Sequence, residues 1–237
     1  IKLFILINIF LGYTSVMTSL PRPSLRERKF AKTRLALAEA ASNHLEAAPL
    51  ESLSVRSLCE RVQISEATFF NYFPKKEDLV IYLDRLWTLE LNWYGQQAMQ
   101  QHRGLAVIEA LFRYTSIQIQ KKPGLMGEII AHEARSRERQ QGPEITQAER
   151  MLAFSDLDGI DSSPDDSLEG LLRDSLQAAI EQGELPENTA ISAAMVGLVS
   201  IFYGVPLALQ HSNPAAIAAM YRQQLELLWS GLRVAAE

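Results

Sequence analysis

Side chains suited to contacting nucleic acid are concentrated between residues 54 and 76. Ser54 and Ser65 each precede a short segment with apolar residues at helical spacing, the position of a helix N-cap, where a serine oxygen accepts from free backbone amides. Pro74 then stops the second segment, because proline cannot continue a helix. Two helices of about two turns joined by a short turn have the dimensions of a helix-turn-helix, whose second helix fits the ~12 Å major groove of DNA.

Positive charge is concentrated just before this region. Residues 22–85 hold 11 Lys and Arg against 9 Asp and Glu, whereas residues 86–237 hold 11 against 19, so the overall net charge of −5 conceals a segregation. Within residues 22–34, six basic side chains face only Glu27: Arg22, Arg26, Arg28, Lys29, Lys32 and Arg34. This composition is typical of an arm that lies along DNA phosphates, and a solvated helix start is the plainer alternative.

Residue types that enzymes and metal sites require are scattered. The four His are at positions 44, 102, 132 and 211, the single Cys is Cys59, and there is no glycine-rich phosphate loop. Asp156, Asp158 and Asp161 do not have the spacing of a calcium-binding loop. We therefore expect no catalytic residue, no metal and no cofactor, and a helical enzyme is kept only as an alternative.

Apolar residues recur three and four positions apart along the chain, and no stretch has the alternation of a strand, so the pattern predicts an all-α protein. With 47% hydrophobic residues the chain can form a full core. About ten helices are expected, with residues 155–166 as an exposed loop. The first helix is predicted over 24–48, two short ones over 54–63 and 65–73, and the others over 76–99, 105–121, 124–140, 143–154, 167–182, 188–209 and 214–234.

The extreme N-terminus differs from the rest of the chain. Residues 3–11 form an apolar run that is shorter than the ~20 residues of a membrane span. We interpret residues 1–16 as translated upstream sequence before a start at Met17, with residues 1–21 as a leader outside the fold. A signal peptide is one alternative, and a tether that makes the chain a membrane-bound one-component sensor is another.

The chain has Thr33 and Arg34 before Leu37, Ser54 and Arg56 before Leu58, and Ser65, Thr68, Phe69, Tyr72 and Phe73 before Lys76. With these residues it resembles, over about fifty positions, the TetR (tetracycline-repressor-like) family of transcriptional regulators. The sequence departs from the family pattern at Gln63, where a glycine is usual in the turn, and at Phe70, where a tyrosine is usual. The resemblance implies a three-helix DNA-binding head over 22–75 and a helical bundle for effector binding and dimerisation over 76–237. It is carried by Thr33, Arg34, Leu37, Ala40, Ala41, Leu45, Ser54, Val55, Arg56, Leu58, Ile64, Ser65, Ala67, Thr68, Phe69, Phe70, Tyr72, Phe73, Lys76, Glu77 and Leu79.

The resemblance also implies which residues of the head contact DNA. Contacts to the phosphate backbone are expected from Ser54, Ser65, Thr68, Tyr72 and Lys76. Contacts to base edges are expected from Arg56, Glu66, Ala67, Asn71 and Phe70, the last through its aromatic face and without the hydroxyl of a tyrosine. Phe69 and Phe73 are expected in the core of the head.

For the second domain the resemblance implies a small-molecule pocket and a homodimer. Candidate pocket residues are Trp87, Trp93, Met126, His132, Met195 and Tyr203, and the alternative is that each is a core residue. The last two helices of each subunit are expected to pair as a four-helix bundle through Leu198, Phe202, Leu225, Leu228 and Trp229, the alternative being packing within one chain. The implied function is a cytoplasmic, ligand-responsive regulator, most simply a repressor, that binds double-stranded DNA at a palindromic operator with half-sites about 34 Å apart.

Overall fold

The computed structural model describes residues 22–135, 142–162, 168–210 and 212–234. The interpretations of residues 1–21 as a leader, an upstream extension or a membrane tether lie outside the described residues. Within the described ranges the chain forms ten α-helices and three short 3-10 helices, with no strand. The predicted all-α class is therefore confirmed.

Three helices form the head. They are α1 (Leu25–Leu45), α2 (Val55–Val62) and α3 (Glu66–Tyr72), with a 3-10 helix over Leu50–Ser52 before α2. Ser24 and Glu27 form a capping box at the start of α1, in which the amide of Ser24 donates to Glu27 Oε2 at 2.7 Å and the amide of Glu27 donates to Ser24 Oγ at 3.3 Å. This box fixes the start of the helix close to the predicted position.

The turn between α2 and α3 has the conformation that a glycine would favour. Gln63 adopts φ 60° and ψ 48°, and no other described non-glycine residue has positive φ. A side chain in this left-handed region costs roughly 1–2 kcal/mol relative to an ordinary helical conformation. The family's usual glycine would remove that cost, so the sequence correctly marked Gln63 as the unusual residue of this turn.

Seven helices form the rest of the chain. They are α4 (Asp78–Gln101), α5 (Leu105–Lys121), α6 (Pro123–Arg135), α7 (Gln147–Ala153), α8 (Leu168–Glu181), α9 (Ile191–Leu209) and α10 (Ile217–Val234). Most bounds agree with the prediction to within three residues. The predicted end of α6 at residue 140 lies outside the described residues. Helix α7 begins at Gln147 and not at residue 143, because Thr146 forms a capping box with Glu149 and so defines the helix start.

Two buried clusters share the long helix α4. One contains the head's Leu37, Phe69 and Phe73 together with Ile129 of α6 and Ile145, and the other fills the space between α4 and the C-terminal helices. Phe69 and Phe73 are completely buried, as predicted. The head therefore packs directly on the bundle through a common core.

Part of the segment predicted as an exposed loop is packed. Ile160 is buried in the same core as the head, and the indole N–H of Trp93 donates to the carbonyl oxygen of Asp158 at 2.9 Å. The prediction of an exposed loop is wrong for Ile160, because a single isoleucine among aspartates has no periodicity from which burial could be inferred, whereas Asp158 is exposed as predicted.

Candidate functional site

Helix α3 exposes four residues of two consecutive turns on one of its faces. Phe69 is fully buried and holds the helix to the head, whereas Glu66, Ala67, Phe70 and Asn71 are exposed, with Phe70 at 46%. The exposed residues are spaced one and four positions apart, so they share a helix face. This face, which we call the α3 face, projects from the head with an apolar centre flanked by a carboxylate and an amide.

Serine and threonine hydroxyls lie at the starts of α2 and α3. Ser54 Oγ accepts the amide of Ser57 at 3.3 Å, and Ser65 Oγ accepts the amide of Thr68 at 3.2 Å. Ser65 Oγ is also 2.8 Å from Thr68 Oγ1. Because Ser54 and Ser65 are exposed, their hydroxyls can reach a phosphate oxygen beside the helix starts.

Tyr72 and Arg56 flank the α3 face. The Tyr72 ring packs edge-on against Phe30 of α1, with ring centroids 4.9 Å apart, so α1 fixes its orientation. Arg56 Nε donates to Glu60 Oε1 at 3.0 Å, and the Arg56 side chain is 78% exposed. An exposed pair of this kind is worth under about 1 kcal/mol, so a guanine edge can compete for the guanidinium.

Lys76 has a structural role that the sequence did not reveal. Its Nζ donates to the carbonyl oxygens of Glu51, at 3.1 Å, and Leu53, at 3.3 Å. An ammonium group has three donors, so one remains for a phosphate oxygen. Lys76 therefore fixes the turn that precedes Ser54, in addition to its expected place beside the DNA backbone.

The basic run on α1 is divided between solvent and core. Arg22, Arg26, Arg28, Lys29 and Lys32 are exposed and can face phosphates. Arg34 is only 3% exposed, so its inclusion in a solvent-facing arm was wrong.

A carboxylate on another helix explains why Arg34 is buried. Arg34 Nη1 lies 3.0 Å from Glu149 Oε1 of α7 and also donates to the carbonyl oxygen of Glu144 at 3.1 Å. The hydroxyl of Tyr82 donates to Glu149 Oε1 at 2.7 Å, and burial followed by the negative charge of Glu149 raises the pKa of Tyr82. This network joins α1 of the head, α4 and α7.

A cavity of about 250 Å³ lies where the end of α1 meets α4, α5 and α6. Its wall is mainly apolar, and polar groups of Ser42, Glu90, Gln118, Lys121 and Lys122 also line it. Two of the predicted pocket residues, Trp87 and Met126, contribute to the wall. The indole N–H of Trp87 is buried without a hydrogen-bond partner among the described residues.

The other four predicted pocket residues do not line this cavity. Trp93 packs toward Asp158, and Met195 is buried in the core of the C-terminal helices. Tyr203 lies near the carboxylates of Asp84 and Glu133, and burial together with these charges raises its pKa to about 12. His132 is on α6, whose cavity-lining residues are Leu125, Met126 and Ile129. Large side chains suit cores and pockets equally, so residue type alone could not separate them.

The corner between α5 and α6 contacts the end of α1 through polar groups that the sequence did not mark. Lys122 Nζ donates to the buried Ser42 Oγ at 2.8 Å. The Glu46 carboxylate accepts the amides of Gly124, at 3.0 Å, and Leu125, at 3.1 Å, at the start of α6. A Cβ on Gly124 would lie 2.1 Å from the carbonyl oxygen of Leu45, so the two backbones can approach this closely only with glycine there.

Four of the five residues predicted for the dimer interface are buried within the single chain. Leu198, Phe202, Leu225 and Trp229 are buried, with Phe202 packed between Trp87 and Phe112. Leu228 packs its side chain against Gly197, where an added Cβ would be 2.8 Å away. Four of the five residues are therefore covered within one chain and Leu228 is half-buried, and their place in a dimer interface stays a prediction.

The exposed apolar residues of the last two helices lie on the opposite side. Val196, Val199 and Leu207 of α9 and Leu227 of α10 are between 49% and 67% exposed, and we call this group the α9–α10 face. By length and composition α9 could cross a membrane, with a mean hydropathy of 1.9, but only 33% of that stretch is buried in the chain. Core helices of soluble proteins meet the same criterion. A second protein chain could cover these exposed side chains.

Part of the chain matches a known family model, and its fold is similar to those of solved structures. Residues 37–83 match the family model described as "Bacterial regulatory proteins, tetR family". A solved structure described as "Molecular basis for control of antibiotic production by a bacterial hormones" is 22% identical, with 85% of this chain and 98% of that one covered at a TM-score of 0.57. No curated protein sequence matches this chain.

Two further solved structures are similar in fold. The ketosteroid transcriptional regulator KstR2 of Mycobacterium tuberculosis is 16% identical, with 84% of this chain and 94% of that one covered at a TM-score of 0.54. The fatty acid degradation regulator FadR from Bacillus halodurans is 15% identical, with 88% and 100% covered at a TM-score of 0.51. At these identities the likeness concerns the fold.

Proposed function

We propose that the chain, whose residues 37–83 match the tetR family of bacterial regulatory proteins, is a transcriptional regulator of that family released from its operator by a small molecule. In this proposal the head over residues 22–75 binds double-stranded DNA, and residues 76–237 dimerise and bind the effector. The protein acts in the cytoplasm, as a repressor that occludes a promoter, and has no catalytic role.

The observation that carries the proposal is the α3 face. Its four residues have the chemistry of base readout: Asn71 can pair with an adenine edge, Glu66 can accept from cytosine N4, and Ala67 with Phe70 suits a thymine methyl group. Phosphate contacts from the exposed basic residues of α1 and the serines at the helix starts would set the register of α3 in the major groove.

A homodimer is supported by the α9–α10 face. In one chain its valine and leucine side chains remain in water, and burying them against a second copy would stabilise association by about 25 cal/mol per Å² of apolar surface. A two-fold arrangement of the heads matches an operator with half-sites about 34 Å apart. Release by a small molecule is supported by the cavity, because Ser42 of the head lines it.

A gel-shift titration on the DNA adjacent to its gene, at low salt, tests the DNA-binding function. The wild-type chain should give a retarded species, and Asn71→Ala should weaken binding to the preferred site by about 1–3 kcal/mol and relax the preference at one base pair. Asn188→Ala, an exposed asparagine in the bundle, is the matched control and should bind as the wild type does. Absence of any retarded species with wild-type protein would refute the proposal.

The dimer is tested separately by sedimentation. Val199→Glu places a charge in the middle of the α9–α10 face and should convert the dimer to a monomer of about half the mass. Gln120→Glu, on the exposed side of α5, adds the same charge elsewhere and should leave the dimer intact. A dimer that persists in Val199→Glu would show that another surface holds the two chains together.

A further inference from the structure

We propose that the cavity at the end of α1 binds a small amphipathic acid, whose carboxylate is taken by Lys122 and whose tail lies against the apolar wall. This inference rests on the proposed function and names the chemical class of its effector. The juxtaposition that suggests it is an ammonium donor, a buried serine of the head and an apolar cavity at one place.

The charge around the cavity favours an anion. Lys121 and Lys122 both line it, and neither forms an ion pair with any described residue. Glu90 also lines the cavity, but its carboxylate already accepts the hydroxyl of Tyr114 at 2.5 Å. The charged groups that line the cavity are therefore two ammonium groups and one carboxylate, which gives a net positive charge.

The size and the wall of the cavity define the rest of the ligand. Leu86, Trp87, Ile119, Leu125 and Phe154 are among the apolar residues that line it. A volume of about 250 Å³ is slightly below the ~300 Å³ at which drug-sized pockets begin. At roughly 30 Å³ for a group of the size of water, it holds about eight such groups. The eight carbons of an eight-carbon acid therefore fit the volume when its two carboxylate oxygens lie beside Lys122.

Binding of such an acid would alter the contact between the head and the bundle. Lys122 Nζ now donates to Ser42 Oγ of α1 at 2.8 Å. A carboxylate is the stronger acceptor for an ammonium group than a serine hydroxyl, because the attraction between opposite charges adds to the hydrogen bond. The ligand would therefore draw Lys122 from Ser42 and loosen α1 beside the cavity, where the head meets α5 and α6.

Isothermal titration of the full-length protein with octanoate, octan-1-ol and octylammonium tests this inference. Octanoate should bind at least about tenfold more tightly than octanol, since a charge-assisted hydrogen bond contributes that much, and octylammonium should bind more weakly still. Lys122→Met should reduce octanoate to within about twofold of octanol. Lys75→Met removes an exposed lysine of the head that does not line the cavity, and should have no effect.

The serine provides a second, independent test. If the carboxylate replaces Ser42 as the acceptor, Ser42→Ala should tighten octanoate binding by about two- to tenfold, because the competing hydrogen bond is gone. Weaker octanoate binding by Ser42→Ala, equal affinity for octanoate and octanol, or undiminished affinity in Lys122→Met would each overturn the proposal. Since no DNA is present, failure here is distinct from failure of the gel shift.

Discussion

Removing the charge of Glu149 should destabilise the protein substantially, because it leaves the guanidinium of Arg34 buried without a counter-charge. The two side chains are 4% and 0% exposed, and their closest atoms are 3.0 Å apart. Breaking a buried pair by altering one partner costs about 3–5 kcal/mol. In Glu149→Gln the single amide oxygen can still accept from either Tyr82 or Thr146, which donate to different oxygens of the carboxylate, so we expect a loss of about 3 kcal/mol.

Replacing Arg34 in the same protein should recover most of that loss. The guanidinium carbon of Arg34 lies 4.4 Å from the ring centre of Tyr82 and 5.3 Å from that of Phe73, so a methionine at this position would contact aromatic faces. Arg34→Met combined with Glu149→Gln leaves no unpaired charge in the core. We expect the double variant to be more stable than Glu149→Gln alone, with a coupling energy of about 2 kcal/mol.

Urea unfolding at a fixed protein concentration measures these differences, since the concentration sets the apparent stability of a dimer. The single variant should also melt about 6–12 °C below the wild type, at roughly 2–4 °C per kcal/mol for a chain of this size. Glu169→Gln, which breaks the exposed pair with Arg173, is the matched control and should cost under about 1 kcal/mol. A Glu149→Gln variant as stable as this control, or costs that simply add in the double variant, would refute the reasoning.

Three further substitutions give independent expectations. Gln63→Gly should stabilise the head by up to about 1 kcal/mol in urea unfolding, because glycine tolerates φ 60° but loses more chain entropy on folding; a destabilised variant would contradict this. Lys76→Met should reduce stability by about 1 kcal/mol as well as weaken DNA binding at every sequence, since two carbonyl oxygens lose their donor; an effect on DNA alone would contradict it. Burial is the main cause that raises the pKa of Asp84 from 3.8 to about 6; the negative charge of Glu133 adds to the shift and Arg85 opposes it. The native state therefore favours the protonated acid. That stabilisation is complete below pH ~4 and lost as pH rises through 6. Between pH 4 and 7 the free energy of unfolding of Asp84→Asn, measured in urea, should therefore rise relative to that of the wild type by at most about 3 kcal/mol. Parallel pH profiles of the two proteins would contradict this.

The residues of the head could be predicted from the sequence because each has a local cause. Proline, serine caps and apolar spacing define α2 and α3, and burial of Phe69 and Phe73 follows from their positions in that pattern. The unusual turn residue Gln63 was visible because left-handed backbone is expensive for any side chain. These features depend on neighbours in sequence, which a pattern contains.

The contacts between helices could not be predicted in the same way. Arg34 belongs by composition to a basic run, and only a partner 115 positions along the chain explains its burial. Leu198 and Val199 are neighbours with similar chemistry, yet Leu198 is in the core and Val199 is on the surface. The sequence could not separate them, because α9 is apolar nearly all round. A helix of that kind has no polar side from which its orientation can be inferred.

Helix α1 is held on the bundle at two places by different chemistry. Near its middle, the buried charge pair with α7 is strong but costly to alter, because removing either partner leaves an unpaired charge. At its C-terminal end, Ser42 and Glu46 contact the corner between α5 and α6 through exposed or partly buried hydrogen bonds, which a ligand can replace at little cost. A ligand at that corner would therefore release the end of α1 while the pair with Glu149 remains intact. The expected motion is a rotation of the head about Arg34, and not its detachment, which is the kind of change that alters the spacing of two heads on DNA.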